Sequence, residues 1–296
     1  MRRSGAIFGA VLATAFIAAS AGAQTLEVSL QKDTVPLGDM IVLELKVTNA
    51  GKSTVDVPDF IPDGRNLMVN VTLDPKSFSF RRYPDRGISL NDLPRGQSVT
   101  ATLEVPTVQA GALAIEVRLG ASSVVKKVNV LPGPAGETRV GVRWETSKGT
   151  MVCRLFPEIA PNTVHHVLWL VRKKFYDGLT FHRIIPDFMM QGGDPSGDGS
   201  GGPGWSLPAE FTTDLRYSHT FGRLSMARTE KPDSAGSQIF VAYDQCTGCD
   251  GSYTVFGELT EGQETARAAE KVGSSSGATL EPVTIQKATI VLLPAK

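Results

Sequence analysis

Between Leu26 and Val130, apolar residues recur at every second position. Leu26, Val28 and Leu30 alternate with polar residues, as do Ile41, Leu43, Leu45 and Val47. The period returns at Leu67, Val69, Val71 and Leu73, at Val99, Ala101, Leu103 and Val105, and at Leu113, Ile115, Val117 and Leu119. Such alternation puts one face of a strand in a core and the other in water. Turn residues separate the runs at Pro36-Leu37-Gly38, Asn49-Ala50-Gly51, Asp63-Gly64, Pro94-Arg95-Gly96 and Ala110-Gly111. Short strands joined by turns, with no helical period, predict an antiparallel β-sandwich over residues 24–131.

The pattern changes after a Pro- and Gly-rich linker at 132–137, whose composition suits a domain boundary. From residue 138 to 296, paired strands are predicted at 139–144 and 151–156 around Ser147-Lys148-Gly149. Pro161 stands at a first helical position, and Val164, Val167, Leu168 and Val171 follow at helical spacing, predicting one buried stripe. Further strands are expected at 181–185, 188–191, 222–226, 238–242, 254–258 and 283–292. A glycine-rich loop spans 192–204, and a short helix at 263–272 is stopped by Gly273.

The first sandwich resembles the immunoglobulin fold in its strand and turn spacing. It contains no cysteine, so no disulfide joins its sheets. Its role is that of a spacer or a module that binds another protein. Arg81, Arg82 and Arg86 flank Tyr83, but a solvated hairpin end explains them better than a nucleic-acid patch. Thirty basic and thirty acidic residues cancel, which removes any broad attraction to nucleic acid or anionic membrane.

Residues 1–23 read as a signal peptide. Arg2 and Arg3 precede an apolar run at 6–19, and Ala21-Gly22-Ala23 offers a small-x-small cleavage site. The run is shorter than the roughly 20 residues needed to span a bilayer. The mature chain is therefore expected to be exported, periplasmic or secreted, with no membrane attachment after cleavage and an oxidising environment by default.

Phe181-His182-Arg183-Ile184-Ile185-Pro186-Asp187-Phe188-Met189-Met190-Gln191-Gly192-Gly193-Asp194-Pro195 closely resembles the signature of the cyclophilins, the cyclosporin-type peptidyl-prolyl isomerases. Four further blocks keep the family's order: Gly201-Gly202-Pro203-Gly204, Leu224-Ser225-Met226-Ala227, Ala235-Gly236-Ser237-Gln238-Ile239-Phe240 and Asp250-Gly251-Ser252-Tyr253-Thr254-Val255-Phe256-Gly257. The resemblance covers 138–296 and implies an eight-stranded closed antiparallel β-barrel with a helix over each open end. It implies peptidyl-prolyl cis-trans isomerase activity on proline-containing unfolded or exported polypeptides, without a cofactor or metal. By the same resemblance Arg183 is the catalytic residue and Gln191 holds the substrate carbonyl. Phe188, Met189 and Phe240 form the apolar pocket. Ala227, Arg228 and Gln238 line the peptide groove, Arg228 chiefly through its main chain. Tyr253 caps the pocket where many relatives carry histidine, and His182 is structural support. The rival reading is a non-catalytic peptide-binding scaffold; the intact Arg183 favours catalysis, since binding alone has no need of it.

Gly197, Gly199 and Gly202 match G-x-G-x-x-G, but Pro203 and Gly204 follow where a dinucleotide site needs a helix. Asp194 and Asp198 begin a calcium-loop pattern whose twelfth position is Trp205 rather than an acid. Cys246 and Cys249 form a C-x-x-C in a loop, where a local disulfide is the expected state of an exported protein. Gly248 and Cys249 stand where relatives carry tryptophan and leucine, so Cys249 becomes part of the pocket wall. Cys153 shares the inward alternation of Met151 and Leu155 and is expected to be a buried free thiol.

Overall fold

A computed structural model of the chain describes residues 17–21, 24–52, 67–73, 76–80, 93–119, 122–133 and 138–294. The basic stretch at Arg81, Arg82 and Arg86, the Asp63-Gly64 pair, most of the linker and most of the segment read as a leader lie outside the described residues.

The N-terminal half forms two sheets. One runs β1 (Ile17–Ala21), β2 (Gln24–Leu30), β4 (Met40–Asn49) and β7 (Ser98–Pro106), all antiparallel. The other runs β3 (Thr34–Pro36), β9 (Ser122–Leu131), β8 (Gly111–Leu119), β5 (Leu67–Leu73) and β6 (Lys76–Phe80). Alternation works as read: Ile41, Leu43, Leu45, Val47, Leu103, Val105, Ile115 and Val117 are all at most 1% exposed. Two features depart from the sequence reading. β3 pairs with β9 in parallel, so the sheet is not purely antiparallel. β9 itself is a strand the hydropathy pattern hid, because Lys126 and Lys127 interrupt it. Val124, Val128 and Val130 face inward, and Lys126 shares their buried face. Burial lowers the Lys126 pKa. β1 falls inside the segment read as a leader, where it extends the first sheet beyond β2.

The C-terminal half is one eight-stranded antiparallel sheet. The new elements are β10 (Thr138–Thr146), β11 (Gly149–Leu155), α1 (Pro161–Arg172), β12 (Arg183–Ile185), β13 (Met189–Gly192) and β14 (Arg223–Met226). They continue with β15 (Ile239–Ala242), β16 (Val255–Glu261), α2 (Gln263–Glu270) and β17 (Ile285–Pro294). Strand order is β12-β13-β15-β14-β16-β11-β10-β17. The two ends of this order are linked by backbone hydrogen bonds: Phe181 N donates to Val283 O and Ile285 N to Leu179 O, both at 2.8 Å. The architecture is mainly β with few helices, and two helices pack on the sheet, α1 against β17 and α2 against β11, β12 and β13.

Helix α1 begins at Pro161, which lacks the N–H that a first turn leaves unpaired. The next two amides, Asn162 N and Thr163 N, donate to the two oxygens of Glu210 at 2.9 Å each, so a distant carboxylate caps this end. The predicted single stripe is wrong in extent: every residue from Thr163 to Val171 is buried. The outer face is covered by β7 of the N-terminal half. Around that contact Lys173 Nζ pairs with Glu104 at 3.0 Å and Arg172 with Asp39 at 3.6 Å.

Candidate active site

Strand register assembles the site. Arg183 on β12 stands opposite Gln191 on β13, and Gln191 stands opposite Phe240 on β15. Directly opposed residues share a face with Cβ atoms about 4.5–5.5 Å apart, so the three form a row across the sheet. Met189 lies two residues from Gln191 and therefore on the same face. The loop from Cys246 to Tyr253 brings Cys249 and Tyr253 over that row, and Ala227 and Arg228 follow directly after β14. Together Arg183, Phe188, Met189, Gln191, Ala227, Arg228, Phe240, Cys249 and Tyr253 line a pocket of about 170 Å³. Gln238, the remaining residue expected in the groove, lines the adjoining cavity instead.

The floor is apolar: Met189 is 2% and Phe240 5% exposed. Tyr253 meets Phe240 edge-on with centroids 5.5 Å apart. Arg183 is half-buried, and its Nη1 reaches only Gln191 Oε1 at 3.5 Å and Met189 Sδ at 3.8 Å. It makes no ion pair among the described residues. The backbone N of the neighbouring Asp187 donates to Glu270 Oε1 on α2 at 2.8 Å. Arg183 thus presents an uncompensated guanidinium at the edge of an apolar pocket.

An amide relay orients Gln191. Gln238 Nε2 donates to the carbonyls of Gly199 and Gly201, both at 2.8 Å, so Gln238 Oε1 must face the other way. That oxygen accepts from Gln191 Nε2 at 2.8 Å, which turns Gln191 Oε1 to Arg183. One Gln191 amide proton stays available to a ligand. The glycine loop is itself wrapped around a carboxylate. Asp194 is 1% exposed and accepts from the amides of Ser196, Asp198 and Gly199. The amides of Ser196, Asp198 and Gly199 are therefore spent on Asp194 rather than offered to a phosphate. His182 packs beside this loop with neither ring nitrogen hydrogen-bonded. Burial lowers its pKa, with Asp194 opposing.

Three residues at the site were not singled out from the sequence. His219 lies parallel to the Phe240 ring, 5.8 Å between centroids. Its Nδ1 is 2.7 Å from Asp250 Oδ1 and its Nε2 is 2.7 Å from Ser225 Oγ. A carboxylate only accepts, so Nδ1 carries the proton and Nε2 accepts from the serine hydroxyl. Burial pulls the His219 pKa down, with Asp250 opposing. Burial pushes Asp250 up, but its hydrogen bonds from His219 outweigh this and hold the carboxyl below its ordinary value. Gly277 is the third. Its φ is +90°, and a Cβ there would stand 2.8 Å from Arg183 Cγ. The only signal was a glycine in a serine-rich turn, which does not point to Arg183.

Cys246 and Cys249 are joined as a disulfide. Backbone bonds also hold this turn: Cys249 N donates to Cys246 O at 2.9 Å and Tyr253 N to Cys249 O at 3.1 Å. Cys153 is a buried free thiol whose pKa burial pushes well up. No cluster of three or more His, Cys, Asp or Glu suited to a metal ion occurs among the described residues.

Comparison with known proteins places residues 141–290 within the model of the family described as cyclophilin type peptidyl-prolyl cis-trans isomerase/CLD. The chain is 47% identical over 113 residues to peptidyl-prolyl cis-trans isomerase B of Bacillus subtilis, covering 38% of this chain and 78% of that one. It is 45% identical over 123 residues to a peptidyl-prolyl cis-trans isomerase of Synechococcus elongatus, covering 42% and 81%. A crystal structure of a Cryptosporidium parvum cyclophilin type isomerase in the presence of the dipeptide ala-pro is 33% identical, covering 51% of this chain and 98% of that one, with a TM-score of 0.49.

Proposed function

This chain belongs to the cyclophilin-type peptidyl-prolyl cis-trans isomerases, and from that premise we propose that its pocket rotates X-Pro bonds of exported polypeptides and so assists their folding. The observation that carries the reading is Arg183, a guanidinium that pairs with no carboxylate among the described residues, beside the apolar floor of Met189 and Phe240.

Amide resonance gives the prolyl C–N bond a rotational barrier of about 18–20 kcal/mol, and no covalent bond need break to cross it. At the twisted amide, conjugation is lost and the prolyl nitrogen regains a lone pair. A donor aimed at that lone pair stabilises the transition state more than either planar ground state, which is what lowers a barrier. Arg183 is that donor. Phe188, Met189 and Phe240 take the pyrrolidine ring, and burying it holds one side of the bond still. Gln191, already oriented by Gln238, gives its remaining amide proton to the substrate carbonyl. Tyr253 and Cys249 close the pocket, while Ala227 and Gln238 border the peptide chain.

The remaining parts of the proposal concern the whole chain. Residues 138–296 form the isomerase domain as a closed barrel, a reading supported by the hydrogen bonds that join 179–181 to 283–285. Residues 24–131 form an immunoglobulin-like sandwich that spaces the isomerase or binds another protein. Residues 1–23 are an export leader whose removal takes β1 with it.

The test is the cis-to-trans rate of a proline tetrapeptide, followed without a coupling protease, for the full chain and for residues 138–296. Acceleration by both supports the reading. No acceleration by the full chain rejects isomerase action. An inactive fragment beside an active full chain rejects an autonomous C-terminal domain.

A further inference from the structure

A larger cavity of about 370 Å³ adjoins the proline pocket and shares Gln191, Ala227 and Arg228 with it. Its walls are glycine-loop backbone, the Trp205 ring and several hydroxyls, among them Ser206, Thr229 and Ser234. Among the described residues Arg228 is its only charged lining residue, and the proline pocket adds only Arg183. The two cavities thus hold two cations and no carboxylate, on a chain whose thirty acidic residues match its thirty basic ones.

The Arg228 side chain is fixed in place. Nε donates to Ser252 O at 2.8 Å, and Nη1 to Thr229 O at 2.8 Å and Glu230 O at 3.2 Å. The guanidinium carbon lies 4.7 Å from the Tyr253 ring centre and 5.5 Å from that of Phe211. Carbonyls and ring faces hold the group without cancelling its charge. Nη2 has no hydrogen-bond partner among the described residues. Of the acidic groups near it, Asp233 accepts from Ala209 N at 2.8 Å and Glu210 caps α1, while the Glu230 side chain, two residues on, is exposed and makes no ion pair with Arg228 among the described residues. Most of the rotamer freedom an arginine would lose on gripping a ligand is already lost on folding.

We propose that Arg228 is a specificity-determining residue, which makes this isomerase prefer chains carrying an Asp or Glu carboxylate close to the target proline. This rests on the isomerase reading and names the substrate class of that same site; it assigns the Arg228 side chain a role beyond the main-chain one implied by family resemblance. An extended chain advances about 3.3 Å per residue, so the adjoining cavity receives a side chain within roughly three residues of the proline. A carboxylate there gains the field of a fixed guanidinium together with hydroxyl donors. A glutamine gains the hydroxyls alone, and a lysine is repelled.

The test uses proline peptides with a single Glu, Gln or Lys at each position from three before to three after the proline. We compare kcat/KM for wild type and Arg228→Gln at low salt and at 1 M salt. Binding is followed independently by tryptophan fluorescence, since Trp205 lines the cavity. At one position or more, Glu is expected to exceed Gln by roughly threefold, as for a half-exposed ion pair, with Lys below both. That ordering disappears at 1 M salt, where the screening length is about 3 Å, and disappears in Arg228→Gln. The comparison is a ratio within each protein, so a general loss of activity in the variant does not obscure it. Equal values for Glu and Gln at every position, or a Glu preference that survives in Arg228→Gln, overturn the proposal. If no peptide is isomerised, the isomerase reading fails by itself. The fluorescence titration then judges Arg228: tighter binding of Glu peptides sustains its role, and equal affinities end it.

Discussion

Replacing Arg183 by alanine removes the one group assigned to the transition state. In the resting site its polar contacts are long, 3.5 Å to Gln191 Oε1 and 3.8 Å to Met189 Sδ, so little ground-state bonding is lost with it. No carboxylate is orphaned either, because Arg183 makes no ion pair among the described residues. A preorganised donor to developing charge is typically worth about 2.7–4 kcal/mol, or roughly 10²–10³ in kcat. The pocket is open and Arg183 only half-buried, which places the expected loss toward the lower end, near 100-fold and at least tenfold. Stability should change by less than about 1 kcal/mol, as for a partly exposed side chain outside any network. Arg183→Lys separates charge from shape. It keeps the cation but not the planar fork, and should recover only part of the rate. The assay is the cis-to-trans rate of a proline tetrapeptide, with far-ultraviolet circular dichroism and thermal melting as controls. An Arg183→Ala protein with wild-type dichroism and kcat/KM within threefold of wild type refutes the reasoning.

Gly277→Ala forces a side chain into a left-handed backbone position and against Arg183 Cγ, 2.8 Å from the new Cβ. It should cost about 1–2 kcal/mol of stability and lower kcat by displacing Arg183; a variant with unchanged melting and unchanged kcat contradicts this. Reduction of Cys246–Cys249 opens a ring of four residues, for which the chain-entropy relation gives about 2 kcal/mol at most. Because backbone bonds keep the turn, the rate should change by a small factor. Thiol counting of the denatured, unreduced protein should find one thiol, Cys153, and three thiols would refute the bridge. His219 has its pKa lowered from 6.5 by burial, against the pull of Asp250. The unfolded chain therefore binds more protons below about pH 6.5, and stability falls as pH drops from there through the folded value. His182 acts in the same direction. Melting temperature measured from pH 7 to 5 should decline less steeply in His219→Gln, and an identical slope would remove His219 from the account.

Most of the local structure was legible in the order of the residues. The period-two runs at 26–30, 41–47 and 113–117 became strands with their apolar members inside, since alternation and burial are one geometric fact. Pro161 marked the start of α1 because a first-turn residue can forgo its N–H. The pocket was legible only through the ordered blocks around Arg183, Gln191, Phe240 and Tyr253, since each residue type alone has commoner structural uses. What eluded the sequence depended on partners far along the chain. The inward turn of Lys126 hid β9, because a cation is normally read as solvent-facing. The stripe on α1 understated its burial, because β7 covers the face that hydropathy assigned to water. His219 found Asp250 31 residues away, and Gln238 found the Gly199 carbonyl 39 residues away. Gly277 came to press on Arg183 through the turn before β17. Local pattern dictates φ, ψ and the buried face of each element. Which side chains then meet is set by strand register and loop closure summed over the whole fold, and that sum is decided only in three dimensions.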